Sequence, residues 1–372
     1  MKNILKILFV SVFCTAVIAC KNGQDSNYRE GLKSKENSIR QSPSDSLIQM
    51  INKHDRAIHL MKDTWMRDPF IALCPDGNYY LSATRMTESF PDSIASIEFW
   101  RSQDLTNWEK LGVRWRANDS EFGKALLKKA MDNDRQAMIW APEIHFINGK
   151  WIIVNTSNMG MANLMITESD ELAPPYIEPF GAELGHRHDP SIFMDDDQPY
   201  LVYKMAAIQR LKKDFSGFDG EEINIGPSDR KMGHEGAYII KVQNKYILFG
   251  TAWSTDEMRK GTYNLYYAVS DKVNGPYGKR QFAGRFLGHG TPFKDKNGNW
   301  WCTAFYNANE PTLKPHEVEN KDMSNTAFTI NKQGLTLVPM EIKIENDAVK
   351  IKALDPAYQN PGNEEVQNFQ FE

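Results

Sequence analysis

Residues 67–82 read R-D-P-F-I-A-L-C-P-D-G-N-Y-Y-L-S, and residues 189–203 read D-P-S-I-F-M-D-D-D-Q-P-Y-L-V-Y. Each stretch contains a polar residue, a short apolar run, a polar turn and a second apolar run, which is the pattern of a β-hairpin. The same build recurs at 140–154 (W-A-P-E-I-H-F-I-N-G-K-W-I-I-V), 234–249 (H-E-G-A-Y-I-I-K-V-Q-N-K-Y-I-L-F) and 288–305 (G-H-G-T-P-F-K-D-K-N-G-N-W-W-C-T-A-F). Five hairpins led by polar residues predict five polar side chains that point to one centre.

Units of a second kind lie between these hairpins. In residues 96–110, 164–176 and 263–277, a strand leads to Ser and Asp and then to a turn with Trp or Pro-Tyr. A hairpin and such a unit make about four strands, and sheets of four strands repeated along a chain are typical of a β-propeller. The leading polar residues are Asp68, Glu143, Asp189, Glu235 and His289, at spacings of 75, 46, 46 and 54. The sequence therefore predicts an all-β, five-bladed β-propeller over residues 59–350 with one insertion.

The insertion is predicted to be helical. In residues 119–136, Phe122, Leu126, Leu127 and Ala130 recur at helical spacing, so we expect a helix that caps an edge of the propeller mouth. Residues 216–233 are rich in Gly and charge and are predicted to be a loop. Residues 326–331 and 337–344 are predicted to be strands that complete the last blade, and residues 351–372 a loose C-terminal tail.

The N-terminal segment has the pattern of a targeting signal. Lys2 and Lys6 precede an apolar run that is too short for an ordinary membrane span and ends V-I-A-C at Cys20. Residues 1–19 are predicted to be a signal peptide, and the small residues before Cys20 resemble a bacterial lipoprotein cleavage site at which that cysteine is lipidated. An ordinary signal peptide with an incidental cysteine is the alternative. Residues 20–58 are polar and are predicted to be a flexible tether with one helical turn near 47–51. We therefore expect an exported protein, anchored by lipid to the outer membrane at its periplasmic or cell-surface face.

Charge and cysteine content narrow the functions further. The formal net charge is -4 and no long basic run is present, so nucleic-acid binding has no electrostatic support. Beyond the signal, the chain has Cys20, Cys74 and Cys302. The last two lie in apolar strands of the first and last blades, and we expect two buried free thiols, although export also permits a disulfide. The run H-R-H at 186–188 offers too few ligands for a zinc site.

The residues that carry the predicted chemistry are three carboxylates. The first strand of each blade lines the propeller axis, so Asp68, Asp189 and Glu235 should converge from three blades. The residue directly before each of them is expected to alternate to the other side of an extended strand. Hydrolysis of a glycosidic bond needs one carboxylic acid to protonate the leaving oxygen and a second carboxylate as base or nucleophile. A third nearby carboxylate raises the pKa of the acid. A strand-initial Asp that only bonds turn amides is the alternative for one copy, but not for five copies in one register.

These motifs resemble those of glycoside hydrolase family 43, five-bladed propellers of the arabinofuranosidase and xylosidase group, over roughly residues 60–345. The resemblance implies that Asp68 is the general base, Glu235 the general acid and Asp189 the residue that modulates the pKa of the acid and orients substrate. It also implies inversion at the anomeric carbon. The sequence departs from the family at Arg67, where small residues are common. It also departs at H-E-G-A, which replaces the more usual E-G-P. Both departures bear on which substrate the site accepts.

Further site residues follow from the resemblance or from residue type. His289 resembles the central histidine of the family, which in many members lies by a water or a calcium ion at the axis, so a structural Ca²⁺ held through water is an option while hydrolysis requires no cofactor. Glu143 of W-A-P-E is a candidate substrate-binding residue, with a purely structural role as the alternative. Trp65 and Trp140 are candidate platforms for sugar stacking, and core packing is the alternative for each.

The sequence thus predicts a glycosidase that acts on plant or algal polysaccharide fragments, either α-L-arabinofuranosidase- and β-xylosidase-like or acting on galactose or anhydro-galactose units. We expect a monomer whose partner is an oligo- or polysaccharide and whose membrane contact is the lipid anchor alone. A non-catalytic carbohydrate-binding propeller is a second hypothesis. A phosphorylase is a third, but it should need a cluster of basic groups at the mouth, and no such cluster is obvious in the sequence.

Overall fold

The structure, a computed structural model, describes residues 43–182, 184–304, 314–326 and 334–369. The predicted signal peptide, Cys20 and the first part of the predicted tether lie outside these residues. Within these ranges, no helix is long and apolar enough to cross a membrane.

Five antiparallel sheets succeed one another along the chain, as predicted for a five-bladed propeller. The chain opens with helix α1 (Pro43–Lys53) and strand β1 (Ile58–Leu60). The first blade contains β2 (Arg67–Leu73), β3 (Tyr79–Thr84), β4 (Ser96–Ser102) and β5 (Glu109–Arg116), followed by helix α2 (Glu121–Asp132). The second blade contains β6 (Ile139–Ile147), β7 (Lys150–Ser157), β8 (Ala162–Thr167) and β9 (Tyr176–Ile177). The third contains β10 (Ser191–Asp195), β11 (Gln198–Tyr203), β12 (Ala207–Arg210) and β13 (Ile223–Asn224).

The fourth and fifth blades complete the ring. The fourth contains β14 (Glu235–Val242), β15 (Lys245–Trp253), β16 (Tyr263–Ser270) and β17 (Gln281–Gly284). The fifth contains β18 (Pro292–Lys294), β19 (Trp300–Ala304), β20 (Leu335–Glu345) and β21 (Ala348–Ala353), with short helices α3 (Pro315–Val318) and α4 (Met323–Thr326) before β20 and α5 (Pro356–Gln359) after β21. Strand β1 pairs with the start of β20, so the N-terminal strand of the described chain closes the last blade.

The predicted tether extends too far along the chain. Helix α1 occupies residues 43–53, and its Ile51 is buried in the core shared by the fifth and first blades. Ile58 is fully buried in β1. Although the segment is polar overall, these few apolar side chains are spaced to reach a neighbouring core, which the composition of the segment as a whole conceals.

The prediction of a loose C-terminal tail is also wrong for residues 351–369. These residues include the end of β21 and the helix α5, where Tyr358 is fully buried. Further on, Glu365 accepts a hydrogen bond of 2.6 Å from the Tyr266 hydroxyl. The segment packs through single polar contacts, which leave no periodic signal in the sequence.

The predicted helical insertion is confirmed. Helix α2 begins after Ser120, whose side chain accepts a hydrogen bond from the Gly123 amide, and it buries Phe122, Leu126 and Ala130. The loop predicted at 216–233 in fact contains β13, the outer strand of the third blade. Of the strand predicted at 326–331, Thr326 ends α4 and the rest lies outside the described residues.

The core of the described chain lies between neighbouring blades. Because side chains alternate along a strand, Ile153 faces the first blade whereas Ile152 and Val154 face the third. Cys74 packs between the first and second blades and Cys302 between the fourth and fifth, and both are free thiols, as expected. Because the five sheets pack face to face around a ring, the first strand of each blade lies at the centre.

Candidate active site

Each blade begins its inner strand with one residue in the left-handed region of the backbone. We call these the head residues: Asp68 (φ 48°), Ala141 (φ 44°), Asp189 (φ 45°), Gly236 (φ 69°) and His289 (φ 53°). This conformation costs a non-glycine residue roughly 1–2 kcal/mol, and such strain is commonly held at functional sites. The shared backbone shows that these five positions, one per blade, are equivalent.

The residues just before the heads also share a position. Arg67, Trp140 and Glu235 each pair with a threonine on the second strand of their blade, and the register shifts directly after each pair. Glu235 is therefore equivalent to Arg67 and not to Asp68, one residue earlier than predicted. The head of the second blade is Ala141, so Glu143 lies two residues beyond it.

The left-handed turn brings both positions to one cavity of about 510 Å³. Its lining includes Arg67 with Asp68, and His188 with Asp189. The prediction that Arg67, His188 and His234 alternate away from the carboxylates is wrong, because strict alternation requires an extended backbone and the head residues interrupt it. All three side chains line the cavity.

The three predicted carboxylates converge on the imidazole of His289. Its Nδ1 lies 3.3 Å from Asp68 Oδ1, 3.7 Å from Asp189 Oδ2 and 4.0 Å from Glu235 Oε1. Burial acts to lower the pKa of His289, but the charges of Asp68 and Asp189 raise it to about 10. The imidazolium is thus the common counterion of the site.

Asp68 is held by a second blade as well as by His289. The Thr84 hydroxyl donates to Asp68 Oδ2 at 2.7 Å and accepts from the Ala141 amide at 2.7 Å. Burial acts to raise the pKa of Asp68, but the His289 charge, the neighbouring Arg67 and the Thr84 hydroxyl hold it well below its usual range. Asp68 is accordingly ionised, as a general base must be.

Glu235 receives hydrogen bonds on both carboxylate oxygens. The Tyr263 hydroxyl donates to Oε1, and His188 Nε2 lies 3.2 Å from Oε2. Burial acts to raise the pKa of Glu235, but the hydrogen bond from His188, the His289 charge and the bond from Tyr263 lower it to about 2. The pKa of Glu235 is therefore below its usual range and not above it, as expected of the acid.

Asp189 has the elevated pKa instead. Burial and the charges of Glu235 and Asp68 raise the pKa of Asp189 to about 6, although the charges of His289 and His188 act to lower it. His188 Nε2 lies 3.3 Å from Asp189 Oδ2, and although burial acts to lower the pKa of His188, the Asp189 charge and the hydrogen bond with Glu235 raise it to about 9. Glu235 is thus ionised, and the neighbouring His188 is protonated.

The two tryptophan candidates line the cavity, whereas Glu143 does not. Trp65 and Trp140 are half-buried and line the cavity, where an indole face can stack on a sugar ring. Glu143 is not part of the lining: it is buried in β6, and its Oε2 lies 3.2 Å from His145 Nε2. Of the two roles considered for Glu143, the structural one fits and substrate binding does not, because Glu143 lies two residues after the left-handed residue Ala141.

Other lining residues escaped the prediction. Thr84 could have been found from the hairpin register that pairs it with Arg67. Trp253 ends β15 and Tyr263 begins β16, the two strands that follow Glu235 in the fourth blade, and no local signal marks them as site residues. Arg259 also lines the cavity, so with Arg67 the mouth holds two guanidinium groups from separate blades, which the sequence did not make apparent.

The arrangement does not fit a calcium ion among the carboxylates. Calcium takes about six to eight oxygen ligands, whereas the oxygens of Asp68, Asp189 and Glu235 surround a cationic imidazole. Among the described residues, His188, Asp189 and Glu235 have potential ligand atoms within 4.8 Å of one another. The hydrogen bond between His188 and Glu235 already uses two of those atoms.

An ionised carboxylate, two further carboxyl groups and aromatic walls in a cavity of sugar size define the class: a propeller glycosidase. The model of the glycosyl hydrolases family 43 matches residues 62–335, and the chain belongs to this family. This is the family that the motifs predicted.

Solved structures with the same fold share little sequence with the chain. The GH43 BlXynB protein from Bacillus licheniformis is 20% identical at a TM-score of 0.55, over 85% of this chain and 60% of that one. A GH43_1 enzyme from Xanthomonas citri complexed with xylose is 16% identical (TM-score 0.56, 87% of this chain and 99% of that one). An exo-1,5-alpha-L-arabinanase from a bovine ruminal metagenomic library is 18% identical (TM-score 0.53, 77% and 96%). The chain therefore spans about three fifths of the Bacillus licheniformis protein. No curated protein matches it.

Proposed function

We propose that the protein hydrolyses O-glycosidic bonds in plant or algal polysaccharide fragments by a single displacement with inversion. Asp68 activates the attacking water, Glu235 protonates the departing oxygen, and Asp189 modulates the pKa of Glu235 and orients the substrate. The observation that carries this proposal is the convergence of the three carboxylates on His289 Nδ1 inside one cavity.

The distances are consistent with room for a water molecule. Asp68 Oδ1 and Glu235 Oε1 lie 3.3 Å and 4.0 Å from the same nitrogen, so their separation cannot exceed the sum of these two distances. This upper bound lies within the roughly 6.5–9.5 Å of inverting enzymes and also admits the roughly 5–5.5 Å of retaining ones. The stereochemistry of the product therefore decides between inversion and retention.

Glu235 has to gain a proton before it can act as the acid. Its low pKa depends on the hydrogen bonds from His188 and Tyr263. A substrate oxygen that accepts the His188 hydrogen bond would remove part of that stabilisation and raise the pKa of Glu235. The negative charge of Asp189, whose potential ligand oxygen lies within 4.8 Å of that of Glu235, acts in the same direction.

The glycon is proposed to be a pentose of the arabinofuranose or xylose type. Support comes from the family and from fold neighbours that include a xylose complex and an arabinanase. Galactose or anhydro-galactose units are the alternative, because Arg67 precedes the first head residue and lines the cavity.

The test is hydrolysis of a panel of aryl glycosides and of defined arabinan, xylan and galactan fragments, with the product anomer followed by NMR. Asp68→Asn and Glu235→Gln should each lower kcat by about 10²-fold or more. The surface change Glu121→Gln is the matched control and should leave kcat unchanged, since its side chain is 78% exposed. Full activity in either site variant contradicts the assignment, and a wild type that binds but never cleaves supports a binding propeller.

Phosphate is the co-substrate to exclude in the same assay. Arg67 and Arg259 line the cavity and could bind an anion. Hydrolysis predicts a rate that is independent of added inorganic phosphate and a free sugar as product. A sugar phosphate as product would replace the proposed hydrolysis by phosphorolysis.

We also propose that the protein is exported and anchored to the outer membrane through a lipid on Cys20. Support comes from the two early lysines, the apolar run and the sequence V-I-A-C that ends at Cys20. Metabolic labelling with a radioactive fatty acid tests this proposal. Label should enter the wild type and not Cys20→Ser, and label in both would contradict it.

A further inference from the structure

The chain between the second and third strands of the fifth blade, β19 and β20, includes residues 314–326, which pack against the fourth blade. Residues 314–326 of this connection run beside the loop that joins β15 to β16. The Gly261 amide donates to the Lys321 carbonyl at 2.8 Å, and the Met323 amide donates to the Gly261 carbonyl at 3.2 Å. These bonds form a short parallel bridge between Gly261 and Asp322. The bridge fixes Asp322 at the edge of the cavity.

The carboxylate of Asp322 binds two side chains that line the cavity. Its Oδ1 accepts from Trp253 Nε1 at 3.1 Å, and its Oδ2 accepts from Arg259 Nη1 at 3.0 Å. Ser324, which also lines the cavity, donates to Oδ1 through both its amide and its hydroxyl. Asp322 therefore couples one wall of the cavity to residues 314–326.

This wall lies against the proposed general acid. Trp253 stacks on Tyr263 with ring centroids 4.5 Å apart, and Tyr263 donates a hydrogen bond to Glu235. Trp253 also contacts His234, the neighbour of Glu235, at 4.6 Å. Asp68 lies instead beside Thr84. In an inverting site the acid touches the leaving oxygen and the base lies on the opposite face of the sugar.

The composition of the wall suits a sugar. Trp253 and Met258 provide apolar surface, Arg259 provides hydrogen-bond donors, and the Ser324 hydroxyl oxygen can still accept a hydrogen bond. Arg259 keeps 60% of its side chain exposed although it is paired with Asp322, so the guanidinium still has donors directed to solvent. An apolar platform with a few polar groups is the usual composition of a site for an oxygen-rich ring.

We propose that Asp322 is a positioning residue that assembles a leaving-group subsite from Trp253, Met258, Arg259 and Ser324. The ligand of this subsite is a saccharide unit, so the natural substrate is an oligo- or polysaccharide and not a small alkyl or aryl glycoside. This inference rests on the proposed function, because it takes Glu235 as the acid.

The experiment compares two substrates with the same glycon, an oligosaccharide and a 2,4-dinitrophenyl glycoside. The dinitrophenolate leaves without protonation and needs no sugar subsite. In Asp322→Ala we expect kcat/KM to fall at least tenfold for the oligosaccharide and to stay within about twofold for the aryl glycoside. Asp322→Asn keeps an acceptor for Trp253 but loses the charge opposite Arg259, and should show a smaller selective loss.

Arg259→Ala is the second variant, since an exposed side chain can be removed without disturbing the fold. It should show the same selective loss, and the double variant with Asp322→Ala should lose less than the product of the two single effects. Equal losses on both substrates, or no loss on the oligosaccharide, overturn the inference. A wild type that cleaves neither substrate overturns the proposed function and the inference together, whereas a wild type that cleaves both, with an Asp322→Ala variant that loses the same factor on each, overturns the inference alone.

Discussion

The orientation of Asp68 depends on a single hydroxyl group. Thr84 accepts a hydrogen bond from the head residue of the second blade, Ala141, and passes one on to the carboxylate of the first head residue. The strained backbone of one blade thereby supports the proposed catalytic base of another. Positions of this kind preorganise a site without contacting the reacting atoms.

Thr84→Val should lower kcat by about tenfold or more, because Asp68 loses the donor that holds one oxygen. The buried Ala141 amide also loses its acceptor, which costs about 1–3 kcal/mol of folding free energy. Thr84→Ser keeps the hydroxyl and is the matched control. Steady-state kinetics and chemical denaturation of both variants check the prediction, and equal kcat values for Val and Ser at this position would refute it.

The charge of His289 should make stability depend on pH. Its pKa is about 10 in the folded protein, against 6.5 as the ordinary value. Because the folded pKa is the higher, the stabilisation is fully present below about pH 6.5 and is lost as the pH rises through 10. The free energy of unfolding should therefore decrease between pH 7 and pH 10.

His289→Gln should be less stable than the wild type at pH 7 and should lose less stability on going to pH 10. Urea denaturation of both proteins at several pH values measures the two slopes. The variant leaves Asp68, Asp189 and Glu235 without their shared cation, which accounts for the loss at neutral pH. Parallel slopes for the two proteins would show that His289 is not the titrating group.

The identity of the three carboxylates and of the central histidine was predictable, but their geometry was not. Asp68, Asp189, Glu235 and His289 head or precede hairpins that the sequence displays openly, and the structure brings them together. The left-handed head residue was not predictable, because Asp and Ala normally have negative φ and no local pattern signals the exception. That single torsion is the reason that Glu143 was misplaced.

At the level of elements, hairpins with Gly turns and the amphipathic helix α2 were predictable from periodicity. The segment after β21 was not, because it is fixed by isolated polar contacts with distant strands. Arg280 shows this well. It is 1% exposed and bonds Gln367 through Nε at 2.9 Å and Asp256 through Nη2 at 2.7 Å.

Arg280→Met should therefore destabilise the protein by about 1–3 kcal/mol, the cost of leaving buried hydrogen-bond acceptors such as Gln367 Oε1 without a donor. The guanidinium also donates to the Lys231 carbonyl and lies over the Tyr266 ring, so several acceptors lose their partner at once. Differential scanning calorimetry measures the effect. Arg280→Lys keeps the charge without the planar fork and should lie between the two; a melting temperature equal to that of the wild type in Arg280→Met would contradict the role assigned here.

At the scale of the whole described chain, five blades form a ring, and closing that ring covers an edge of the fifth blade. Closure joins the two ends of the described chain, since β1 pairs with β20 of the fifth blade over Ile58, His59 and Leu60. The core between the fifth and first blades contains side chains from α1, β1 and both blades. The sequence predicted the blade count from the repeats but ended the tether at residue 58, the first residue of the closing strand, because three residues are too short for a recognisable pattern.

A chain that starts at residue 62 should consequently be far less stable than one that starts at residue 43. The shorter chain lacks Ile51, Ile58 and Leu60, all buried in the closing core, and the burial of each such side chain contributes about 1.5–3 kcal/mol. It also exposes the edge of β20, an open edge that can pair with other molecules. Thermal unfolding and size-exclusion chromatography compare the two chains, and a full-length protein in which Ile58→Asp is the only change separates packing from strand pairing.

Because the cavity is formed by residues of all five blades, loss of closure should abolish glycosidase activity although every proposed catalytic residue is retained. A shortened chain with the melting temperature of the longer one would show that closure by β1 is dispensable.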